Sequence, residues 1–337
     1  MLSEEFPLCR VLSIIPNDGI SIFLQSIYQI NKIAKQGSVM SEKLRIFFSP
    51  DLERKVFAAY DAVLKRWPVP YSDVFIPTRF GDTHVVVSGP EQAVPVVLLN
   101  PGGSSVCIWS RNIESLSRNY RTYAVDVIGE MNRSIPTRPI RNNKEFTEWI
   151  DDLFRGLKIE SAHVIGNSNG GFFALNTAIL LPEKVKKVVL ISPAATFIEM
   201  WAFWWHLMIP AHMIAPIIHS EKMVHKAYDW LWQDFPMDEY YDRLKSISVI
   251  AGYPRYRPSR NSIRPHVFSN NELRNIKNPI LLLIGDHDVI YEPDRAIRRA
   301  TTLIPSLKAE IIPKANHCAQ YTAPDVVNEK VLEFLLG

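Results

Sequence analysis

The chain has 337 residues and a formal net charge of +3, with 47% hydrophobic and 22% charged residues. This composition is typical of a globular protein large enough for one core with an insertion. The weak charge, without a basic block interleaved with aromatics, excludes a general nucleic-acid binder. Three scattered cysteines, Cys9, Cys107 and Cys318, give neither a disulfide framework nor a metal-binding spacing, so we expect a reducing, cytoplasmic location.

Residues 1–39 show little of the pattern of a folded domain. The chain begins with acidic residues where a signal peptide would be basic, and Pro16 to Gly19 interrupt the apolar stretch after Arg10. These features argue against secretion and against a membrane span. A fresh pattern begins at Met40. We therefore interpret residues 1–39 as an N-terminal extension, or a misassigned start, outside the fold.

Beyond Met40, helical and strand patterns alternate, which is typical of a mostly parallel sheet flanked by helices. The predicted helices cover residues 50–65, 105–118, 144–157, 171–178 and 326–335. The predicted strands cover residues 71–77, 84–88, 94–99, 121–127, 162–165, 187–191, 280–284 and 309–313. The alternation stops after residue 193. We expect residues 40–193 and 273–337 to form one core, and residues 194–272 to form a helical cap inserted into it.

The predicted cap is rich in large apolar side chains. They are Trp201, Phe203, Trp204, Trp205, Met208, Met213, Trp230 and Trp232. They either pack within a small helical subdomain or line an apolar pocket, for which Trp204, Trp205 and Met208 are the candidates. Polar residues and prolines interrupt the run 197–218, which excludes a membrane span. Its histidines lack the i, i+4 spacing of a helical metal site, so we expect no metal.

The most specific motif is Gly166-Asn167-Ser168-Asn169-Gly170, between an apolar strand and a helix. A serine on such a turn projects above the sheet edge as a nucleophile. A Cβ at Gly166 or Gly170 would collide with the neighbouring strand and helix, so we expect glycine to be required at both positions. The following helix points its N-terminus at the reacting centre, where negative charge develops.

A base and an acid follow in the order that this chemistry needs. His317 lies on a loop before the C-terminal helix and can accept the serine proton. The segment Gly285-Asp286-His287-Asp288 leaves the end of a buried strand, so either carboxylate can hold the imidazole. Asp286 is closer to the strand end and better placed to bind loop backbone, so we favour Asp288. The order Ser, Asp, His differs from both protease orders.

Donors for an oxyanion are predicted on the loop after the strand at 94–99. This loop reads Asn100-Pro101-Gly102-Gly103-Ser104. The N–H groups of Gly102 or Gly103 and of Asn169 could converge on the oxygen that becomes negative in acyl transfer.

From about Asp51 to its end, the chain resembles the α/β-hydrolase superfamily, and it is most similar to the bacterial serine carboxylesterases of that fold with a helical cap. The resemblance is carried by residues 98–103, 126–129, 166–171, 285–288 and 316–317. It implies an α/β-hydrolase fold and no cofactor. It also implies Ser168 as nucleophile, Asp288 as acid, His317 as base, and Gly102 and Asn169 as the oxyanion donors.

The chain departs from the family pattern in two places. Asn100-Pro101 replaces the usual His-Gly of the oxyanion loop, and because Pro101 has no N–H the donor shifts to Gly102, with Gly103 as the alternative. The loop after Asp126 lacks its usual second glycine. Serine at the elbow argues against the dehalogenases and epoxide hydrolases of this fold, which use aspartate there.

Three functions remain open from the sequence. The first is hydrolysis of small carboxylic esters with an apolar acyl or alcohol part. The second is carbon–carbon bond hydrolysis, or cofactor-free perhydrolysis, with the same triad. The third is ligand sensing through movement of the cap, because a fold alone does not select a function.

Overall fold

The structure is a computed structural model, and it describes residues 44, 46–47, 49–214, 220–232, 263–290 and 292–337. The interpretation of residues 1–39 as an extension therefore lies outside the described residues, as do the parts of the predicted cap at residues 215–219 and 233–262. Within the described ranges, no helix combines the length and the apolar character needed to cross a bilayer.

The first helix, α1 (Pro50–Leu64), shows how local sequence determines an element. Ser49 caps it, since its hydroxyl accepts a 3.2 Å hydrogen bond from the N–H of Leu52. Pro50 occupies the first turn, where its missing N–H has no cost, and Asp51 suits the helix dipole. The buried face of the helix packs on the sheet. The predicted helix is confirmed.

The remaining elements follow in an alternating order. The strands are β1 (Tyr71–Thr78), β2 (Gly81–Ser88), β3 (Val94–Leu99), β4 (Tyr120–Val125), β5 (Ile135–Pro136), β6 (Ala162–Asn167), β7 (Val185–Ile191), β8 (Ile280–Gly285) and β9 (Leu307–Ile312). The further α-helices are α2 (Ile113–Ser117), α3 (Asn143–Gly156), α4 (Asn169–Leu180), α5 (Glu221–Leu231), α6 (Asn270–Arg274), α7 (Pro293–Leu303), α8 (Ala319–Thr322) and α9 (Pro324–Leu336). Short 3₁₀ helices lie at Val106–Trp109 and Pro182–Lys184.

In the described part of the chain, nine strands form one sheet in the order β1-β2-β4-β3-β6-β7-β8-β9, with β5 paired to β2. The pairings from β4 through β3 to β9 are parallel, whereas those of β2 are antiparallel. Leu99 pairs with Gly166, and Asn167 pairs with Ile191. The carboxyl ends of β3, β6, β7 and β8 therefore meet at one edge. The mostly parallel sheet of the α/β-hydrolase fold is confirmed.

Both faces of the sheet are covered, which explains why the central strands are mostly apolar. Leu98, Ile165 and Leu283 face a core shared with α1, α2 and α9. Their strand neighbours Leu99 and Leu282 face the opposite core, shared with α3, α4 and α7. The alternation of strand side chains assigns each residue to one layer.

The predicted helix over 105–118 is wrong in one respect, because the structure divides it into the 3₁₀ turn Val106–Trp109 and α2. Tertiary hydrogen bonds explain the division. The N–H of Val106 donates to Asp126 Oδ1 at 2.9 Å, and Nδ2 of Asn112 donates to the carbonyl of Gln320 and to Asn328 Oδ1. These contacts hold the chain where helix propensity alone would continue it.

The segment after β7 first packs into the core and then becomes helical. Phe197 and Met200 are buried in the cluster that contains α3 and α4. An α-helical turn at Trp201–Phe203 continues as the π-helix Trp204–Ile214, and α5 follows. The helical character expected of the insertion is confirmed for these elements, whereas its boundaries and its role as a cap stay predictions.

Candidate active site

Ser168 sits in a strained turn at the carboxyl end of β6. Its φ of 53° and ψ of −117° lie in a region that residues other than glycine rarely adopt. The turn is held from both sides: the Ser168 N–H donates to the carbonyl of Ile191 at 3.0 Å, and its own carbonyl accepts from Phe172 and Ala194. Such strain persists only where the surroundings over-determine it, and it is common at functional sites.

The two flanking glycines permit this turn, as the sequence predicts. A Cβ at Gly166 would lie 2.1 Å from the Gly170 carbonyl oxygen, and one at Gly170 would lie 2.0 Å from that of Leu99. Both contacts involve backbone, which cannot move aside without disturbing β3, β6 or α4. The close approach of these elements is what places Ser168 at the sheet edge.

We therefore expect Gly170→Ala to lower the free energy of unfolding by about 3 kcal/mol, as measured by urea denaturation. Gly337→Ala is the control, because a Cβ at that terminal position would lie 3.3 Å from the Glu333 oxygen and meets nothing closer. An unchanged midpoint and slope for Gly170→Ala would show that α4 can shift away from β3.

His317 and Asp288 form a buried pair beside the elbow. His317 Nδ1 lies 3.0 Å from Asp288 Oδ2, and the exposed fractions of the two side chains are 3% and 0%. Asp288 Oδ1 accepts a further hydrogen bond from the N–H of Ile290 at 2.9 Å. A carboxylate on Nδ1 favours the tautomer in which Nε2 carries no proton. An imidazole in this state can accept a proton.

The Nε2 atom of His317 is buried and has no hydrogen-bond partner, Ser168 included, among the described residues. A catalytic hydrogen bond is often long in a ligand-free enzyme and tightens when substrate binds. A buried polar nitrogen without a partner is costly in a purely structural role. The atom is therefore available for chemistry at the elbow.

Asp286 has a different set of contacts from Asp288. Its Oδ1 accepts a 3.1 Å hydrogen bond from the N–H of Ala315, as we expected of the carboxylate nearer the strand end. Partial burial opposes ionisation, but the N–H groups of Lys314 and Ala315 outweigh it, and the pKa of Asp286 is lowered. Asp286 thus braces the loop that carries His317, whereas Asp288 contacts the imidazole.

The oxyanion loop lies against the start of α4. A Cβ added to Gly102 would come within 2.8 Å of Asn169 Nδ2, so the two predicted donor residues are close neighbours. The N–H of the alternative donor, Gly103, points instead to Glu130 Oε2 at 3.0 Å. Since this amide is engaged and Pro101 has none, the geometry favours Gly102 over Gly103.

Asn100, which replaces the usual histidine of this loop, shapes it from within. Its Nδ2 donates to the carbonyls of Pro101 and Ser104, and its Oδ1 accepts from the N–H of Val127 at 3.1 Å. The substitution therefore keeps the loop folded through hydrogen bonds to its own backbone and to the segment after β4.

Sequence reasoning missed a charged cluster around the buried His84, in which Asp126 is buried and Asp73 is exposed. His84 on β2 lies between Asp126 and Asp73, with Nδ1 2.8 Å from Asp126 Oδ2 and Nε2 in contact with Asp73 Oδ1. The Tyr60 hydroxyl donates to Asp126 Oδ2, and the N–H of Val106 donates to Oδ1. Burial opposes protonation of His84, but the two carboxylates outweigh it and raise its pKa.

This cluster predicts a pH dependence of stability. Because the folded pKa of His84 exceeds its ordinary value of 6.5, its stabilisation is fully present below pH 6.5 and is lost as the pH rises through the folded pKa. Burial lowers the pKa of His163 to about 4, so the contribution of His163 changes between pH 4 and 6.5. Measurements between pH 6.5 and 9.0 avoid both the range of His163 and the range in which the buried thiols of Cys107 and Cys318, whose pKa is raised from 9.0, contribute.

We expect the free energy of unfolding to fall above pH 6.5 by up to about 1.4 kcal/mol per pH unit, measured by denaturant titration. His84→Gln should flatten this slope. The exposed His225 gives the control variant His225→Gln, which should keep it. Equal slopes for His84→Gln and the wild type would assign the dependence to another group.

The candidate pocket residues lie on the first helical part of the insertion. Trp204 is 41% exposed, whereas Trp205 and Met208 are half-buried. These residues belong to a π-helix rather than the expected α-helix, a conformation that is frequent at functional sites. Their place in a substrate pocket stays a prediction.

The buried side-chain amides of Asn167 and Gln320 were also not predicted from the sequence. Asn167 Nδ2 donates to the main-chain oxygen of His317, and Gln320 Nε2 donates to Asn167 Oδ1, both at 3.0 Å. These bonds join segments 150 residues apart in the chain. The only signal in the sequence was a polar residue directly before the serine, which by itself indicates nothing.

Residues 94–216 match the family model of the alpha/beta hydrolase fold. The carboxylesterase YbfK of Bacillus subtilis (strain 168) is 34% identical over 84% of this chain and 94% of its own length. The uncharacterized carboxylesterase nap of the same organism is 36% identical over 83% of this chain and 92% of its own. The crystal structure of the naproxen esterase (carboxylesterase NP) from Bacillus subtilis superimposes with a TM-score of 0.77, covering 85% of this chain and 99% of the other at 34% identity.

The fold and the relatives together define a hydrolase. The chain belongs to the carboxylesterases of the α/β-hydrolase family, and it is a carboxylic ester hydrolase. The alternatives of carbon–carbon bond hydrolysis, perhydrolysis and ligand sensing are not favoured by these relatives.

Proposed function

We propose that this enzyme hydrolyses esters of small, fairly apolar molecules through an acyl-enzyme on Ser168. The observation that carries the proposal is the buried pair of His317 and Asp288. His317 Nδ1 lies 3.0 Å from Asp288 Oδ2, whereas His317 Nε2 has no hydrogen-bond partner in the described part of the chain. The strained elbow that presents Ser168 supports the same assignment. No metal or cofactor enters the proposed reaction.

In the acylation step, Ser168 Oγ attacks the ester carbonyl carbon while its proton passes to His317 Nε2. The tetrahedral oxyanion accepts hydrogen bonds from the N–H groups of Gly102 and Asn169, near the positive end of the α4 dipole. The carbon–oxygen bond to the alcohol then breaks, and the alcohol leaves with the proton from Nε2. Asp288 stabilises the imidazolium while it exists.

Deacylation repeats these steps with water as the nucleophile. His317 Nε2 takes a proton from water, the hydroxide oxygen bonds to the acyl carbon, and the carboxylic acid leaves as Ser168 regains its proton. The same two N–H groups stabilise the second oxyanion. The products are one alcohol and one carboxylic acid.

We further propose that the insertion at residues 194–272 is a cap and that it selects the substrate. Its described helices carry Trp204, Trp205 and Met208, and an apolar lining suits an ester with a bulky apolar acyl or alcohol group. The structural neighbour named naproxen esterase supports an aromatic acyl group. The substrate is a small molecule in this proposal.

A chain-length series of p-nitrophenyl esters tests the function. We expect a burst of p-nitrophenol equal to the enzyme concentration, followed by steady turnover that is higher for apolar acyl groups than for acetate. A protein that binds these esters but releases no p-nitrophenol would contradict the proposal and favour the sensor.

The cap predicts a difference between its two adjacent tryptophans. We expect Trp205→Ala to raise kcat/KM for bulky acyl groups relative to short ones by about tenfold, since even one methylene of a substrate in a hydrophobic pocket is worth about 1–3 kcal/mol. Trp204→Ala, at a more exposed position, is the control with a smaller change. Identical profiles for both variants and the wild type would move selectivity to the oxyanion loop.

We also propose a cytoplasmic location. Cys107 and Cys318 are both buried as free thiols, and burial raises the pKa of each. Unpaired cysteines of this kind are typical of proteins kept in a reducing compartment.

A further inference from the structure

The side chain of Asn167, the last residue of β6, is fully buried and makes three hydrogen bonds of 3.0 Å. Its Nδ2 donates to the main-chain oxygens of Ile191 and His317, and its Oδ1 accepts from Nε2 of Gln320. Because each of these bonds would cost free energy if left unmade in the interior, the amide is held in one orientation.

We propose that Asn167 is a positioning residue that sets where the His317 imidazole stands relative to Ser168. This inference rests on the proposed function. Asn167 directly precedes the nucleophile Ser168 in the chain, and its side-chain Nδ2 donates to the main-chain oxygen of the base, His317. We call this arrangement the Asn167 clamp: the Asn167 side chain, the oxygens of Ile191 and His317, and the Gln320 amide.

The clamp complements the contact with Asp288. The Asp288 carboxylate holds Nδ1 of the imidazole, and Asn167 holds the main chain from which that side chain extends. Because His317 is held both at its side chain and at its main chain, its Nε2 atom has little freedom to move. The Ile191 oxygen also accepts the N–H of Ser168, so the same atom fixes the elbow and the clamp.

Losing the main-chain anchor would let the imidazole drift while its bond to Asp288 survives. A displacement of about 1 Å in a catalytic group can cost about 100-fold in rate. Substrate binding would be little affected, because Asn167 is buried behind the serine. A positioning role therefore predicts a fall in kcat with KM nearly constant.

The test compares Asn167→Leu with the matched control Asn176→Leu. Asn176, on α4, is equally buried and donates to Asn143 Oδ1 at 3.4 Å, away from the site. Each rate is normalised by burst titration, so unfolded protein does not count. We expect Asn167→Leu to lower kcat about 10- to 100-fold with KM within twofold, and to shift the acid limb of the pH profile. Asn176→Leu should change neither.

An Asn167→Leu variant with wild-type kcat and pH profile would overturn the proposal. So would an equal fall in kcat for Asn176→Leu, because the effect would then be general loosening. If Asn167→Leu does not fold, Gln320→Met carries the test, since it removes the 3.0 Å amide donor to Oδ1 and leaves the longer, 3.8 Å bond from Cys318 Sγ. We expect Gln320→Met to lower kcat in the same direction by a smaller factor and, where Asn167→Leu folds, to be non-additive with it. An unchanged kcat for Gln320→Met would also overturn the proposal.

Labelling by an alkyl fluorophosphonate separates the clamp from the proposed function. The Ser168 oxygen bonds to phosphorus, fluoride leaves, and the serine proton passes to His317. A wild-type enzyme that is not labelled at Ser168 would contradict the proposed function. Labelling of the wild type and Asn167→Leu at the same rate would contradict only the clamp, because misplacing the base should slow this reaction as well.

Discussion

Replacing Ser168 with alanine is expected to lower kcat for ester hydrolysis by about 10⁴- to 10⁶-fold, because the acyl-enzyme can no longer form. The fold should survive, since the turn is fixed by main-chain bonds to Ile191, Phe172 and Ala194 that alanine retains. Steady-state rates with p-nitrophenyl esters check the loss of kcat, and the thermal midpoint of unfolding checks that the fold survives. The residual rate should show no burst.

Ser192 offers a matched control for this change. It is likewise a serine with positive φ, 43°, at the end of the neighbouring parallel strand β7, but it is fully buried whereas Ser168 is half-buried. It lacks the flanking glycines of an elbow. Ser192→Ala should keep normal turnover, and a burst of unchanged size in Ser168→Ala would show that the nucleophile lies elsewhere.

The second large effect is expected for Asp288→Asn, which should reduce kcat by about 10⁴-fold. An amide in place of the carboxylate no longer stabilises the imidazolium, and it can donate to Nδ1 and so favour the wrong tautomer of His317. The buried position of Asp288, with the 3.0 Å contact to Nδ1, makes this loss severe.

Asp286→Asn tests the same loop without touching the imidazole. The Asp286 carboxylate binds the N–H of Ala315, and an asparagine oxygen can accept that bond, so we expect kcat to stay within about threefold of the wild type. Should Asp286→Asn prove the more damaging of the two, the roles assigned to the two carboxylates would have to be exchanged.

Much of this fold was predictable because local pattern and tertiary structure agree. The central strands β3, β6, β7 and β8 are mostly apolar and bounded by turns, and both of their faces are covered. The elbow was predictable for a sharper reason: its glycines are required by backbone atoms 2.0–2.1 Å from an added Cβ. A motif of this kind records a steric constraint in the sequence itself.

Features built from distant residues were not predictable. Asp73, His84 and Asp126 come from different segments, and only pairing of β1 with β2 and of β2 with β4 brings them together. The Asn167 clamp joins residues 150 positions apart. The broken helix at 105–118 has the same origin, because the atoms that break it belong to Asp126, Gln320 and Asn328.

The way the chain enters and leaves the insertion has a consequence for building chimeric enzymes. At the entry, the N–H of Ala194 donates a hydrogen bond to the Ser168 carbonyl. At the exit, the N–H of Phe268 donates to the carbonyl of Thr196. The Arg299 side chain on α7 donates to the carbonyls of Phe197 and Phe268. The Arg299 guanidinium therefore binds both the entry and the exit of the insertion to the core. Splice points placed at 201 and 263 leave these bonds intact, so we expect insertions from related esterases that are exchanged there to leave the nucleophile undisturbed. A junction at 194 would instead place foreign sequence at the contact between Ala194 and the Ser168 carbonyl.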